Sequence, residues 1–168
     1  MPEPLADLVI EDESWQALDL GQLAEQSFRA ALAGAGIAPE GYEIALLACD
    51  DVRIADLNRE FRDKPAATNV LSWPVEDLAP DSDGGIPVPP PRPDGPFAES
   101  LGDIAIAYGT CRAEAEAAGI AFDDHVSHLL VHGCLHLLGY DHVRDKDATR
   151  MEALEVAILA KLGIANPY

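Results

Sequence analysis

The chain has 168 residues, 48% of them hydrophobic, which is enough for one domain with a core that needs no disulfide staples. Its formal net charge is −19, from 30 acidic and 11 basic side chains, so most of its surface should repel nucleic acid. The three cysteines are scattered, and the N-terminus has no signal-peptide pattern, so we expect a cytoplasmic protein. No apolar run is long enough to cross a membrane.

The first part of the chain alternates short apolar runs with amphipathic segments. Leu8–Ile10 is predicted to be a strand, and Leu20–Ala33 an amphipathic helix. Glu43–Cys49 has the apolar character of a central strand. Asp50 or Asp51 is placed to cap the helix that follows. The apolar side chains of that helix are Val52, Ile54, Leu57 and Phe61.

The second part of the chain predicts two more strands and three more helices. Asn69–Trp73 and Asp103–Tyr108 have strand character, and Thr110–Ala118 is an alanine-rich helix. Asp123 lies at the start of a helix that contains most of the histidines, and Asp145 is placed to cap a final helix. We therefore expect an α+β protein with four strands and about five helices.

A segment rich in proline and glycine separates the third and fourth predicted strands. Seven of the chain's 13 prolines lie between Pro80 and Pro96. This composition predicts an extended or disordered surface loop at about residues 79–97, without a packed core of its own. We expect residues 1–168 to form a single domain that carries this loop.

The most informative feature is a group of three histidines within eleven residues. His132 and His136 are four residues apart, so on a helix their side chains lie on one face, about 6 Å apart along the axis. Gly139 suits the left-handed conformation that ends a helix, which would turn the chain and bring His142 toward the pair. Three nitrogen ligands with one coordination position left open are typical of a catalytic zinc site.

Other residues of the same helix compete for this role. His128 and His136 would lie about 12 Å apart along the axis, too far for zinc–nitrogen bonds of about 2 Å to one ion. We therefore interpret His128 as a residue that supports the ligands or packs beside them, and His125 as a polar residue near the helix start. Cys134 does not share the face of His132 and His136, and is interpreted as a buried apolar residue.

The histidine spacing is also that of the metzincin proteases, with one decisive difference. Those proteases carry a glutamate directly after the first histidine as the general base, whereas this chain has Gly133. Ordinary peptide hydrolysis would lack its proton acceptor. A glycine within a helix costs about 1 kcal/mol relative to alanine, so it indicates either a need for space beside the metal or tight helix packing.

The segment from His132 to His142 resembles the signature of the YbeY family of bacterial endoribonucleases. Two other segments agree with it. One runs from Leu57 to Pro74 and contains Leu57-Asn58-Arg59-Glu60-Phe61-Arg62-Asp63-Lys64 and Thr68-Asn69-Val70-Leu71-Ser72-Trp73-Pro74; the other is Leu101-Gly102-Asp103-Ile104. Trp73 stands where the family usually has phenylalanine.

This resemblance implies a mixed four-stranded sheet of zincin-like architecture and roles for several residues. His132, His136 and His142 would hold one Zn²⁺ per chain. Arg62 would be the catalytic cation, because a planar guanidinium can clamp a phosphodiester. From their charge alone, Arg59 and Lys64 are either phosphate contacts for the substrate or solvated surface charges. Asp141 could orient a ligand imidazole or cap a turn.

The resemblance also implies a substrate, single-stranded ribosomal RNA, with roles in 16S 3′-end maturation and in ribosome quality control. The acidic charge opposes RNA binding, but residues 51–64 contain four basic and four acidic side chains and are locally neutral. A partner such as the small ribosomal subunit or its proteins would therefore be needed; no DNA substrate is expected. Two alternatives remain: a non-catalytic ribosome-associated factor with a structural metal, and another metal-dependent hydrolase.

Overall fold

The computed structural model describes residues 4–168 and contains a mixed four-stranded sheet and five α-helices. The strands are β1 (Ala6–Ile10), β2 (Tyr42–Cys49), β3 (Val70–Pro74) and β4 (Glu99–Ala107). The helices are α1 (Leu20–Gly34), α2 (Asp51–Arg62), α3 (Tyr108–Ala118), α4 (Phe122–Leu137) and α5 (Asp145–Lys161). The α+β class, the four strands and the five helices predicted from the sequence are confirmed.

The strand order in the sheet is β1-β2-β4-β3, so β2 and β4 are the central strands. β1, β2 and β4 run parallel, whereas β3 pairs antiparallel with β4 at the edge. Alternate residues of β2 are fully buried, because one face of the strand packs into the main core with α1 and α4. α4 also lies against β3 and β4, which places its histidines beside the β3 edge of the sheet.

The predicted element boundaries differ from the structure at strand ends and helix starts. β1 begins at Ala6 and β4 at Glu99, earlier than predicted, because parallel pairing with β2 extends both strands beyond their most apolar residues. Tyr108, predicted as a strand residue, is the first residue of α3. Asp145 does not cap α5, since Arg144 occupies the cap position and Asp145 is the first helical residue.

A short 3₁₀ helix at Glu13–Ala17 was not predicted, because five residues are too few to show a helical period. The Asp12 side chain caps it by accepting a hydrogen bond from the Ser14 amide. Its Trp15 side chain is completely buried, and the indole nitrogen donates to the Cys49 carbonyl over 2.9 Å. The segment therefore fixes the chain between β1 and α1 to the core.

The proline-rich segment has no helix or strand between Pro74 and Glu99, but it is firmly attached to the start of α5. The Arg144 guanidinium donates to the carbonyls of Pro80 and Asp81, each over 2.9 Å. The Asp147 carboxylate accepts the Gly84 amide over 2.8 Å. The segment has the irregular backbone that its composition predicts, and it is held in place by contacts with α5 that the composition does not indicate.

Gly139 adopts the left-handed conformation predicted for it, with φ of +97°. A Cβ atom at this position would also lie 2.6 Å from the carbonyl of Leu78, so any side chain would collide with the start of the proline-rich segment. The close approach fixes the direction in which the chain leaves α4. Within residues 4–168, no helix has both the length and the apolar character needed to cross a membrane.

Candidate metal centre

α4 presents two histidines on the side of the helix that is not absorbed by the core. Its apolar residues Val126, Leu129, Leu130 and Leu137 are buried at helical spacing. His132 and His136 are only partly buried and lie one turn apart. Their ring centroids are 4.5 Å apart, and their Nε2 atoms are separated by 3.0 Å.

The glycine turn brings His142 to this pair. The His142 ring centroid lies 5.4 Å from that of His132 and 5.1 Å from that of His136. One ring nitrogen from each of the three histidines falls within 4.8 Å of the others. The structure therefore assembles the three histidines that the sequence spacing singled out as metal ligands.

The hydrogen bonds of the two α4 histidines determine which nitrogen is free for a metal. His132 Nδ1 is bonded to the Glu155 carboxylate, and His136 Nδ1 donates to the Tyr140 carbonyl over 2.9 Å. Both Nδ1 atoms therefore carry the proton, and both Nε2 atoms carry a lone pair. Two lone pairs 3.0 Å apart repel each other unless a cation lies between them. Tetrahedral zinc, with bonds of 2.0–2.1 Å, places its nitrogen ligands roughly 3.3 Å apart.

The protonation state of His136 also suits a metal ligand. Burial, together with the neighbouring His132 and His142, lowers the pKa of this imidazole to about 4. A neutral imidazole is the form that binds a metal, because protonation occupies the lone pair. The donor set thus fits zinc in chemistry, spacing and charge state.

A buried carboxylate on α5 supports these ligands. Glu155 is completely buried, and its oxygens accept hydrogen bonds from His128, over 3.1 Å, from His132 and from the hydroxyl of Tyr168. Burial alone would raise the pKa of Glu155, but the hydrogen bonds from His128 and His132 lower it to about 2. The carboxylate is therefore charged and orients the His132 ring so that Nε2 faces the other ligands.

Sequence reasoning missed both Glu155 and Tyr168. A signal for Glu155 was present, because it lies four residues after Met151 and three before Ile158, on the buried stripe of α5. A charged residue at such a position needs a buried partner. Tyr168 lies beyond α5 in a segment without helix or strand, where no periodicity could reveal it.

The remaining histidines of α4 have partners that agree with their interpretation as non-ligands. His128, His132 and Glu155 also lie close enough together for a metal, but both carboxylate oxygens already accept hydrogen bonds. His128 thus acts as a hydrogen-bond partner of the buried Glu155 carboxylate. His125 bonds the Glu114 carboxylate over 3.0 Å, away from the three-histidine group.

Gly133 and Cys134 both take part in packing. A Cβ atom on Gly133 would lie 3.2 Å from Ile104 and 3.5 Å from Val70, so α4 sits closely on β3 and β4 at this point. Both explanations left open by the sequence have support, because Gly133 packs against the sheet and also lines the cavity that contains the three histidines. Cys134 is fully buried, and burial raises the pKa of its thiol to about 12, which removes it as a metal ligand.

Replacement of Glu155 by glutamine is expected to weaken zinc binding roughly 10- to 100-fold, because the neutral amide no longer fixes and polarises His132. Competition with a chromogenic chelator would measure the affinity. Glu152→Gln is the matched control, since Glu152 is an exposed glutamate on the same helix. Equal zinc affinities for the parent and Glu155→Gln chains would contradict the orienting role.

The three histidines line one side of a cleft of about 360 Å³. Residues of β3 and the segment before it form much of the rest: Thr68, Asn69, Val70, Leu71 and Ser72. Arg62 lines the same cleft, and its guanidinium donates to the Ser72 carbonyl over 2.6 Å. α2 ends at Arg62 because Asp63 takes the left-handed conformation, with φ of 56°, and this turn places Arg62 near β3.

The other predicted site residues have different positions. Arg59 is exposed and pairs with Asp56 over 2.8 Å, and neither Arg59 nor Lys64 is among the residues that line the cleft. The Asp141 carboxylate accepts the backbone amide of His142 over 2.7 Å. The Nδ1 atoms of His132 and His136 donate instead to the Glu155 carboxylate and to the Tyr140 carbonyl.

Comparison with known proteins shows the family of the chain. The family model described as endoribonuclease YbeY matches residues 9–163. The chain belongs to the YbeY family. A relative named endoribonuclease YbeY from Ruegeria pomeroyi is 58% identical over 162 residues, covering 96% of both chains. Relatives of the same name from Dinoroseobacter shibae and Paracoccus denitrificans are 56% and 49% identical, over 96% and 100% of this chain and 89% and 91% of theirs.

A solved structure supports the fold independently of close sequence similarity. The solution structure of TM1509 from Thermotoga maritima superimposes with a TM-score of 0.59 at 18% sequence identity. The match covers 94% of this chain and 88% of that one. The same arrangement of sheet and helices is therefore found in a distant sequence.

Proposed function

We propose that this YbeY-family chain is a zinc-dependent endoribonuclease that cleaves single-stranded RNA during ribosomal RNA processing, including maturation of the 16S 3′ end. We extend the proposal to ribosome quality control in the cytoplasm. The observation that carries it is the pair of Nε2 lone pairs 3.0 Å apart, with His142 beside them, in a cleft shared with Arg62. The name of the relatives supplies the class of reaction.

The three histidines, Glu155 and Arg62 have separate tasks in this mechanism. His132, His136 and His142 would hold the zinc ion, and Glu155 keeps His132 in the correct tautomer. The chemistry that zinc supplies when bound is polarisation of a phosphoryl oxygen and acidification of water. Arg62 binds the phosphodiester and stabilises the negative charge that develops on it.

Arg59 and Lys64 are proposed to contact phosphates outside the cleft, further along the RNA strand. Both lie at the end of α2 or just beyond it, close in the chain to Arg62. Their contribution to RNA binding is small, because Arg59 forms a salt bridge with Asp56 and because the side chains of Arg59 and Lys64 are exposed. Asp141 holds the backbone of the turn that carries His142.

The composition of the three-histidine group favours catalysis over a structural metal site. A structural zinc site is closed by four protein ligands, whereas a catalytic site has three and one open position. Within residues 4–168, the group around His132, His136 and His142 contains these three ligand residues and no fourth. A protease is disfavoured because Gly133 occupies the position of its general base and packs against the sheet.

The acidic surface determines how the RNA would be reached. A net charge of −19 opposes the approach of a polyanion, so long-range attraction cannot concentrate RNA at the cleft. Delivery by the small ribosomal subunit or its proteins would replace this attraction. We therefore propose a ribosomal partner, with no DNA substrate.

Incubation of the zinc-loaded chain with a precursor 16S RNA fragment, alone and on the small subunit, would test the proposed function. We expect cleavage within single-stranded segments that is abolished by a chelator and restored by zinc. A His132→Ala chain purified in the same way is the control for contaminating ribonuclease, because it lacks one of the proposed zinc ligands and should not cleave. Absence of cleavage on both substrates by demonstrably zinc-loaded protein would refute the enzyme and favour the non-catalytic factor.

A further inference from the structure

The ring of Tyr168 forms part of the wall of the metal cleft. Among the described residues that line the cleft, it is the one phenylalanine, tyrosine or tryptophan side chain. Its ring meets that of His128 edge to face, with centroids 5.8 Å apart and planes at 85°. Even so, Tyr168 is 60% exposed, so its contacts with His128 and Glu155 leave much of the residue accessible.

Several contacts hold this ring in place. The Tyr168 hydroxyl donates to the buried Glu155 carboxylate, and its backbone amide donates to the Asn166 side chain over 2.8 Å. Earlier in the same segment, the Ile164 amide donates to the Leu159 carbonyl over 2.9 Å, and its side chain packs against the main core. An aromatic ring fixed in this way loses little conformational entropy when a second flat group is laid on it.

Charge makes a stacking contact valuable in this protein. Most proteins that bind single strands without sequence preference combine a basic groove with aromatic platforms. This chain has a net charge of −19, and Arg62 is the one arginine or lysine among the described lining residues. Stacking of a base is independent of the phosphate charge, and only unpaired bases can offer a free face to a side chain.

We propose that Tyr168 is a stacking platform for one nucleobase of the RNA, at the nucleotide next to the phosphodiester held by Arg62. This inference rests on the proposed function and deepens it, because it explains how an acidic protein would hold a single strand. It also separates two roles of one side chain. The hydroxyl fixes the ring through Glu155, and the ring binds the base.

A binding cycle between protein and RNA tests the platform directly. The zinc-loaded parent, Tyr168→Leu and Tyr168→Phe chains are titrated with a short single-stranded RNA that carries 2′-O-methyl groups, and its length is checked by gel after each titration so that only uncleaved RNA enters the binding curve. The titrations are repeated with a set of RNAs of the same sequence, each of which lacks the base at one different position. Phe97→Leu is the matched control, since Phe97 is 85% exposed and is not among the residues that line the cleft.

We expect Tyr168→Leu to weaken binding of the intact RNA roughly 5- to 100-fold. Tyr168→Phe keeps the ring but loses the hydrogen bond to Glu155, so it should weaken binding less than Tyr168→Leu does. At one abasic position, the parent chain should lose the same factor and Tyr168→Leu should lose nothing more. An equal loss at every abasic position, or a Tyr168→Leu chain that binds like the parent, would overturn the platform. So would a loss that follows reduced zinc content, because Tyr168 would then act only through Glu155.

The two proposals fail in different ways. If the parent chain cleaves RNA but shows no abasic position coupled to Tyr168, the stacking platform is wrong and the proposed function stands. If the parent chain neither binds nor cleaves single-stranded RNA, on or off the small subunit, both proposals are wrong.

Discussion

A His136→Ala chain is expected to lose zinc and to show no more RNA cleavage than the chelator-treated parent. His136 is central among the three ligands, with ring centroids 4.5 Å from His132 and 5.1 Å from His142. Its loss leaves two proposed ligands, so the affinity for zinc should fall by more than the roughly 10- to 100-fold that is typical when a residue that only orients a ligand is replaced. Zinc content by atomic absorption and cleavage of a precursor RNA fragment measure both effects.

His125→Ala is the matched control for this variant. His125 belongs to the same helix and has its own carboxylate partner, Glu114, at 3.0 Å, but it is not part of the three-histidine group. We expect it to retain zinc and activity. Thermal unfolding of the zinc-free chains separates lost ligation from lost folding, and a His136→Ala chain that keeps stoichiometric zinc and activity would contradict the proposed site.

An Arg62→Ala chain is expected to keep its zinc but to cleave RNA roughly 100- to 1,000-fold more slowly in kcat. The guanidinium shares the cleft with the histidines and is fixed by a bond of 2.6 Å to the Ser72 carbonyl. Removal of one pre-oriented donor from a site of developing negative charge has an effect of about this size. Single-turnover cleavage by chains of equal zinc content provides the measurement.

Two further substitutions establish what the guanidinium contributes. Arg62→Lys retains the charge but not the planar pair of donors, so only part of the activity should return. Arg53→Ala, on the same helix, removes an exposed arginine paired with Glu11 over 3.5 Å and should leave the rate unchanged. Equal rates for the parent and Arg62→Ala chains would exclude a role in the chemical step.

The features predicted correctly from the sequence depend on residues close together in the chain. The i, i+4 spacing of His132 and His136 is a property of any helix, and the left-handed turn at Gly139 follows from the conformational freedom of glycine. The five helices were predicted for the same reason. Apolar periodicity and capping side chains, such as that of Asp50, act within one or two turns.

Features that the sequence did not reveal depend on contacts between distant parts of the chain. Glu155 meets His132 across 23 residues, and Arg144 reaches the Pro80 carbonyl across 64. The proline-rich segment was predicted from composition alone, so its attachment to α5 and its close contact at Gly139 were not visible.

The sequence by itself therefore determined the three-histidine group, because the spacing of His132, His136 and His142 on one helix and its terminal turn is enough to bring three nitrogens together. Only the tertiary structure decided their environment. The tautomer of His132 depends on a carboxylate from α5, Arg62 reaches the cleft by a bond to β3, and Tyr168 returns to it from beyond α5. Such contacts form only when helices and strands pack together. The two partners of such a hydrogen bond can lie any number of residues apart, so no spacing pattern in the sequence reveals them.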